Sequence, residues 1–126
     1  MKKLLLILLA TLVLTGSAWA EWVKVAENDI ADYYIDPASI RKDGNLRKVW
    51  QIQNLKQQDK EGGELSRRSR DEFDCKQERY RTLSVSEHSG PMASSTTLSS
   101  SEGPFRWREI PPGAIGETVL KIVCAK

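Results

Sequence analysis

Alternating apolar and polar side chains mark one segment of the chain most clearly, residues 46–55. Successive side chains on a β-strand point to opposite faces of the sheet, so Trp50 and Ile52 share one face while Val49 and Gln51 share the other. Runs that alternate, or that are rich in β-branched and aromatic side chains, predict further strands at residues 22–26, 32–36, 66–75, 79–88 and 105–110. The pattern leaves open whether residues 66–88 form one long strand or two.

Turn-forming residues separate these segments. Pro37 is predicted to stop the second strand and to begin a turn, and Gly44 lies in a strong turn signal at residues 42–45. The Ser/Thr-rich residues 94–101 contain Leu98 as their one apolar side chain, which predicts a flexible loop.

Residues 114–124 fit a helix and a strand about equally well. As a helix, the segment places Val119 and Ile122 on one apolar stripe. As a strand, it places Leu120 and Cys124 on one face, and its β-branched content favours that alternative. The pattern alone leaves both structures open.

The first residues of the chain have the features of a secretory signal peptide. A basic start is followed by an uncharged, Leu-rich run that closes on an Ala-Trp-Ala site, residues 18–20. We predict cleavage between Ala20 and Glu21, which divides the chain into a signal peptide (1–20) and one mature domain (21–126). The mature part contains no second long apolar run and no Cys near the cleavage site, so we expect neither a transmembrane segment nor a lipid anchor.

Removal of the leader changes the charge of the protein. The full chain has 19 Lys and Arg against 17 Asp and Glu, a net charge of +2. Because Lys2 and Lys3 leave with the signal peptide, the mature domain is formally neutral. A strongly basic nucleic-acid-binding protein is therefore disfavoured.

Two cysteines, Cys75 and Cys124, are the only ones in the chain. In an oxidising compartment an isolated pair of this kind usually forms a structural disulfide. A metal site would need more ligands, and a redox pair would normally lie close together in the sequence. We therefore predict a disulfide between them.

No catalytic site or cofactor site is predicted. His88 is the only candidate general base, and no motif places a nucleophile beside it. Haem would need an axial ligand, for which only His88 with Met92 is available, so a structural or surface role is the favoured interpretation of His88. No metal-ligand spacing or phosphate-binding loop occurs.

Charged and aromatic side chains provide the candidate contacts of a binding protein. Asp71, like Glu72 and Asp74, lies among basic residues, and we interpret this stretch as a solvated strand face with salt links. Its arginines offer a weak candidate site for an acidic glycan. The candidate binding residues are Arg67, Arg68, Arg70 and Tyr33. Of the larger aromatics, Trp50 and Trp107 are predicted to lie in the core.

The order and spacing of several residues together resemble the bacterial surface-adhesin E-like family. The matching positions are Trp22, Tyr34-Ile35-Asp36 with Ser39-Ile40, Val49-Trp50, Asp74-Cys75-Lys76 with Arg79, Trp107 with Ile110 and Pro112-Gly113, and Cys124. This resemblance covers nearly the whole mature chain. It implies an α+β fold, in which a single antiparallel sheet of about six strands carries a C-terminal helix on one face. It also implies that the Cys75–Cys124 disulfide ties this helix to the sheet.

The resemblance also implies a function. The best-known member of the family is an adhesin that binds host matrix proteins such as vitronectin and laminin, and it has been linked to haem binding and to dimerisation. A homodimer is thus implied for this chain, whereas no individual binding residue carries over. This sequence departs from that member in lacking the Cys that a bacterial lipoprotein acylates.

Two hypotheses of different class follow. The first is an exported, non-enzymatic binding protein that contacts a protein or glycan partner at the cell envelope, through the sheet face or through residues 90–104. The alternative is a periplasmic structural factor whose partner is a bacterial protein. Both hypotheses place the protein outside the cytoplasm, in the periplasm or at the cell surface, and neither involves nucleic acid.

Overall fold

Six main strands follow one another in the chain and also in space. The computed structural model describes residues 20–125, so the predicted signal peptide up to residue 19 lies outside the described residues, as does Lys126. The strands are β1 (Val23–Glu27), β2 (Ala31–Asp43), β3 (Leu46–Leu55), β4 (Ser66–Asp74), β5 (Arg79–His88), β6 (Thr97–Glu102) and the two-residue β7 (Arg108–Glu109). A short 3-10 helix (Pro91–Ala93) precedes β6, and the one α-helix of the described residues, α1 (Ile115–Cys124), lies at their C-terminal end.

Each of the six main strands pairs antiparallel with the next, in the order β1-β2-β3-β4-β5-β6, and β7 pairs with the free end of β5. Short turns join β2 to β3 and β4 to β5. Between β2 and β3, for example, Gly44 has a φ of 57°, a left-handed conformation that costs glycine little. The two runs at residues 66–88 are thus two strands, and the predicted turn at residues 42–45 is confirmed.

Helix α1 settles the ambiguity at residues 114–124. Its buried side chains are Val119, Leu120 and Val123, a stripe at helical spacing that lies against the sheet. The polar side of the helix carries Glu117 and Lys121, whose charged atoms are 3.2 Å apart. The order of these two charges, acid before base, suits the helix dipole.

The core lies between α1 and one face of the sheet. Ile35, Val49 and Phe73 come from three neighbouring strands, and each is at most 2% exposed. They pack against the buried stripe of α1 as one cluster. The fold class is therefore the one that the resemblance implied, a single antiparallel sheet with a C-terminal helix on one face.

The predicted disulfide joins Cys75 to Cys124, with Cα atoms 5.8 Å apart. Cys75 directly follows β4, and Cys124 is the last residue of α1. The bond therefore ties the end of the helix to the central part of the sheet. No helix in the described part of the chain is long and apolar enough to cross a membrane.

The prediction that Pro37 ends the second strand is wrong. Strand β2 continues through Pro37 to Asp43, with an irregular register between Asp36 and Arg41. The Ser39 hydroxyl supports this bulge because it donates to the Asp36 carbonyl at 2.7 Å and accepts from the Trp50 amide at 2.9 Å. A side chain thus replaces the ladder bonds that are missing at the proline.

The predicted flexible loop at residues 94–101 is also wrong in its second half, which forms β6. All six residues of β6 are exposed, so the strand depends on backbone pairing with β5 and not on apolar burial. The predicted strand at residues 105–110 shrinks to Arg108–Glu109.

Candidate functional site

The two faces of the sheet differ in what covers them. The helix face carries α1 and the core. The outer face is the opposite one. Helix α1 does not lie on it, and a short 3-10 helix at Pro91–Ala93 is hydrogen-bonded to Asn54 and Ser66 at one end of it. Side chains that share a face follow from the strand register, in which Trp50 lies opposite Arg70 and Ile52 lies opposite Arg68.

Arginine and tryptophan side chains stack on the outer face. The guanidinium of Arg68 lies 4.9 Å from the ring centre of Trp50. Trp107 is contacted by two guanidinium groups, those of Arg79 and Arg81, each 4.5 Å from its ring centre. We call these five residues, together with Arg70, the outer-face patch.

This arrangement corrects the prediction that Trp50 and Trp107 are core residues. Both indole rings are only half-buried, and neither belongs to the cluster of core residues. The alternation in β3 correctly put Trp50 on the face opposite Val49, but it could not say which of the two faces α1 covers.

Ion pairs hold part of the outer-face patch in place. Arg81 Nη2 lies 2.8 Å from Glu72 Oε1, and Arg79 Nε lies 3.3 Å from Asp74 Oδ2. Both carboxylates are buried, so these pairs are less screened by solvent than ordinary surface pairs. Hydrogen bonds from the backbone amides of the β4–β5 turn, chiefly that of Gln77, hold the pKa of Asp74 below its usual range.

The four candidate binding residues do not form one site. Arg68 and Arg70 lie on the outer face, where neither forms an ion pair with another described residue. Tyr33 and Arg67 lie on the helix face, because both align with Gln53 in the register. Arg67 pairs with Glu64 at 3.5 Å and with Glu87 at 3.3 Å. Only Arg68 and Arg70 are therefore available to contact a partner at the outer face.

A cavity of about 420 Å³ opens on the helix face beside α1. The cavity is bounded by the first half of α1 on one side and by residues 105–108 on another, and both Tyr33 and Arg67 line it. We call it the helix-side cavity. Its size falls within the range of about 300–1,000 Å³ that is common for small-molecule sites.

The prediction of a solvated strand face with salt links is wrong for Asp71. Glu72 and Asp74 form ion pairs as expected, but Asp71 is 4% exposed and lies on the helix face, where it lines the cavity. Its carboxylate accepts hydrogen bonds from Gln51 Nε2, from Ser69 Oγ at 2.9 Å and from Thr82 Oγ1 at 2.7 Å. Burial raises the pKa of Asp71, because these neutral donors offset only part of the lost hydration.

His88 is buried at the end of β5, and a hydroxyl group lies near each of its ring nitrogens. Its Nε2 lies 2.8 Å from Ser86 Oγ, and its Nδ1 lies 3.4 Å from Thr97 Oγ1. The pair with Ser86 is one that no sequence motif indicated. It arises because residues two apart on a strand share a face. Within residues 20–125, neither ring nitrogen is hydrogen-bonded to a carboxylate that could orient the ring, as the base of a catalytic triad requires.

Acid is expected to destabilise the protein through His88. Burial, and then the charge of Arg68, lower the pKa of His88 below its ordinary value of 6.5. Between the lowered value and 6.5 the unfolded chain binds more protons, so stability falls as the pH decreases through that window and levels off below it. Urea unfolding of the wild type and of His88→Gln between pH 7.5 and 5 measures this effect. The prediction requires that the substitution flatten the dependence, and an equal slope in both proteins would contradict it.

The segment at residues 90–104, proposed as a contact loop, is largely pinned to the sheet. The Met92 amide donates to Asn54 Oδ1 at 2.9 Å, and the Ala93 amide donates to Ser66 Oγ at 2.8 Å. The segment then continues into β6. The sheet face, and not this segment, is therefore the better candidate for a binding surface.

The fold and the site together define a class: a small α+β domain, stapled by one disulfide, in which the C-terminal helix covers only one face of the sheet. Residues 20–125 contain no group of three or more His, Cys, Asp or Glu side chains that could hold a metal ion. The profile of the surface-adhesin protein E family matches residues 22–125. The chain belongs to this family, as the resemblance indicated.

Solved structures of protein E from Haemophilus influenzae have the same fold. Crystal form II is 14% identical, with a TM-score of 0.61 over 86% of this chain and 91% of that chain. The selenomethionine form is 13% identical, with a TM-score of 0.62 over 86% of this chain and 89% of that one. The structure from a non-typeable strain is 16% identical, with a TM-score of 0.58 over 88% and 79%. A comparison with curated proteins found no match.

Proposed function

We propose that this chain is an exported, non-enzymatic binding protein whose outer face contacts a protein or glycan partner at the cell envelope. The observation that carries the proposal is the outer-face patch, in which arginine side chains stack on the half-buried rings of Trp50 and Trp107. Membership of the surface-adhesin protein E family supports an adhesin-like role.

The chemistry of the patch suits binding better than catalysis. Trp and Arg dominate the energetics of protein interfaces, because they combine a large apolar area with directed hydrogen bonds. Indole rings and guanidinium planes also stack on sugar rings and pair with acidic groups. The sheet and the ion pairs to Glu72 and Asp74 hold these side chains in place before binding, which reduces the entropy cost of association.

Truncation of the patch is expected to weaken partner binding at least tenfold, the loss that removal of an interface hot spot typically produces (about 2 kcal/mol). The test compares the wild type with Trp50→Ala and with Arg68→Ala plus Arg70→Ala. Biolayer interferometry would use immobilised vitronectin, laminin and heparin in parallel with a pull-down from envelope extract. The double arginine variant is included because neither side chain is buried, so a loss of binding in this variant does not come from misfolding.

Lys121→Ala is the matched control, since this lysine lies on the exposed side of α1 with 74% of its side chain accessible. It should bind as the wild type does. Equal binding by all the variants would rule out the outer face as the contact surface, and a preference for heparin over the proteins would identify the partner as a glycan.

We further propose that the protein is displayed at the cell surface, with a periplasmic structural factor as the alternative. Fractionation separates the two hypotheses. Detection on intact cells by protease shaving supports surface display, whereas recovery of all of the protein in the periplasm supports the alternative.

A further inference from the structure

The helix-side cavity contains an ionisable group that the proposed outer-face contact does not use. Asp71 lies on its floor with Gln51, Ser69 and Thr82, and the residue is 4% exposed. Among residues 20–125 no Lys, Arg or His side chain forms an ion pair with it. The floor of the cavity is therefore a buried carboxylate that lacks a counter-ion.

Such a carboxylate lowers the stability of the folded protein. A buried charge without a partner of opposite sign loses much of its hydration energy, and the raised pKa of Asp71 reflects this loss. An amide at this position would carry no charge, and it could accept from Gln51 and Ser69 through its oxygen while its nitrogen donates to the Thr82 hydroxyl. Groups that destabilise a fold while lining a cavity are characteristic of binding sites.

The walls of the cavity complement the floor. Tyr33, Tyr80 and Phe105 surround it with aromatic rings, and Ile115 and Val119 of α1 add apolar surface. Aromatic faces attract cations as well as apolar stems. The Phe105 side chain is 42% exposed, so the cavity has an aromatic edge that is open to solvent.

The rim beside Phe105 carries the opposite charge. Arg106 and Arg108 both line the cavity and are exposed, and neither forms an ion pair with a described residue. Because Arg67 is already paired with Glu64 and Glu87, the free positive charge of the rim comes from Arg106 and Arg108. The cavity therefore has a negative floor, an apolar middle and a positive rim.

We propose that the helix-side cavity binds a small zwitterionic ligand, whose ammonium or guanidinium group pairs with Asp71 and whose carboxylate or phosphate group meets Arg106 and Arg108. An apolar stem between the two charges would pack against the aromatic walls. The ligand class is thus that of ω-amino acids, basic amino acids and similar zwitterions. This proposal does not depend on the outer-face contact, because the two sites lie on opposite faces of the sheet.

Three probes of equal carbon number test it with the exported, disulfide-bonded protein. The zwitterion 6-aminohexanoate carries both charges, hexylamine lacks the carboxylate and hexanoate lacks the ammonium. Isothermal titration calorimetry gives the affinities, and ¹⁵N chemical shifts of Thr82 and Val119 report whether the probe enters the cavity. We expect 6-aminohexanoate to bind about tenfold or more tightly than either of the other two, since each charged hydrogen bond contributes at least that factor.

Variants assign the two ends of the probe. Asp71→Asn should weaken 6-aminohexanoate and hexylamine about tenfold or more but leave hexanoate unchanged. Arg106→Ala with Arg108→Ala should weaken 6-aminohexanoate and leave hexylamine unchanged. Lys121→Ala, on the far side of α1, should change none of the three affinities.

The Asp71→Asn variant also separates a ligand site from a merely structural carboxylate. Without ligand it should unfold at the same temperature as the wild type or higher at pH 7, because the amide removes the uncompensated charge and can bond to Gln51, Ser69 and Thr82. Lower thermal stability together with unchanged probe binding would overturn the proposal. The absence of binding by any probe at 10 mM (about 2.7 kcal/mol of affinity or less) would overturn it as well, and so would the tightest binding by hexanoate.

Discussion

Replacing Cys75 and Cys124 together by alanine is expected to lower the free energy of unfolding by about 4 kcal/mol. The bond closes a loop between residues 49 positions apart, and opening that loop gives the unfolded chain many more conformations. In the folded state the bond ties the end of α1 to the residue after β4. A loss of this size is a large share of the roughly 5–15 kcal/mol that stabilises a typical domain.

Urea unfolding with and without dithiothreitol measures the effect. Reduction should destabilise the wild type by about the same 4 kcal/mol and leave the double variant unchanged, because that variant has no bond to reduce. A wild type that keeps its midpoint when fully reduced would show that the packing of α1 alone secures the helix.

Phe73→Ala is expected to be of similar severity, a loss of about 3–5 kcal/mol. Phe73 is 2% exposed, belongs to the core cluster and stacks on Tyr80 with ring centres 5.8 Å apart. It occupies the sheet position beneath α1, so truncation removes apolar burial and leaves a cavity between the two layers. Thermal and urea unfolding of the purified variant provide the measurement.

Phe105→Ala is the matched control. Phe105 is 42% exposed at the mouth of the helix-side cavity, and its loss should cost about 1 kcal/mol or less. Equal destabilisation by the two substitutions would contradict the assignment of Phe73 to the core. Because Phe105 lines the helix-side cavity but is not a core residue, its substitution changes the cavity wall with little effect on the free energy of unfolding.

The two proposed sites divide the sheet by face. The outer face offers half-buried aromatic rings with cationic side chains stacked on them, whereas the helix-side cavity offers a confined space with separated charges. This division is possible because α1 covers only one face of the sheet and because successive residues of a strand point to opposite faces. Arg67 and Arg68 illustrate it, since they are adjacent in the sequence and serve opposite faces.

The local pattern was sufficient for several elements. The bounds predicted for β3 are those observed, because a glycine turn precedes it and its centre is rich in strand-forming residues. The glycine turn before β3 and the disulfide were also predicted correctly. In each case the determining feature lies within a few residues or depends on residue type alone.

Other features depend on neighbours that are distant in the sequence. Ser39 holds β2 together at the proline only because Trp50, on the next strand, supplies the amide that it accepts from. Strand β6 exists because β5 provides its ladder, and its own serines carry no strand signal. The isolation of Asp71 follows from a register that pairs it with Val49 and Thr82 and not with a cation.

The sequence by itself determined the alternation of faces along the strands, the pair of cysteines and the membership in the surface-adhesin protein E family. Only the tertiary structure decided which face α1 covers, and with it whether Trp50 is core or surface and whether Asp71 is solvated or buried. The reason is physical. Alternation determines which side chains share a face, but their burial depends on the element that packs against that face. In this protein that element is α1, which comes after all the strands and is held in place by contacts with residues distant in the sequence and by one disulfide.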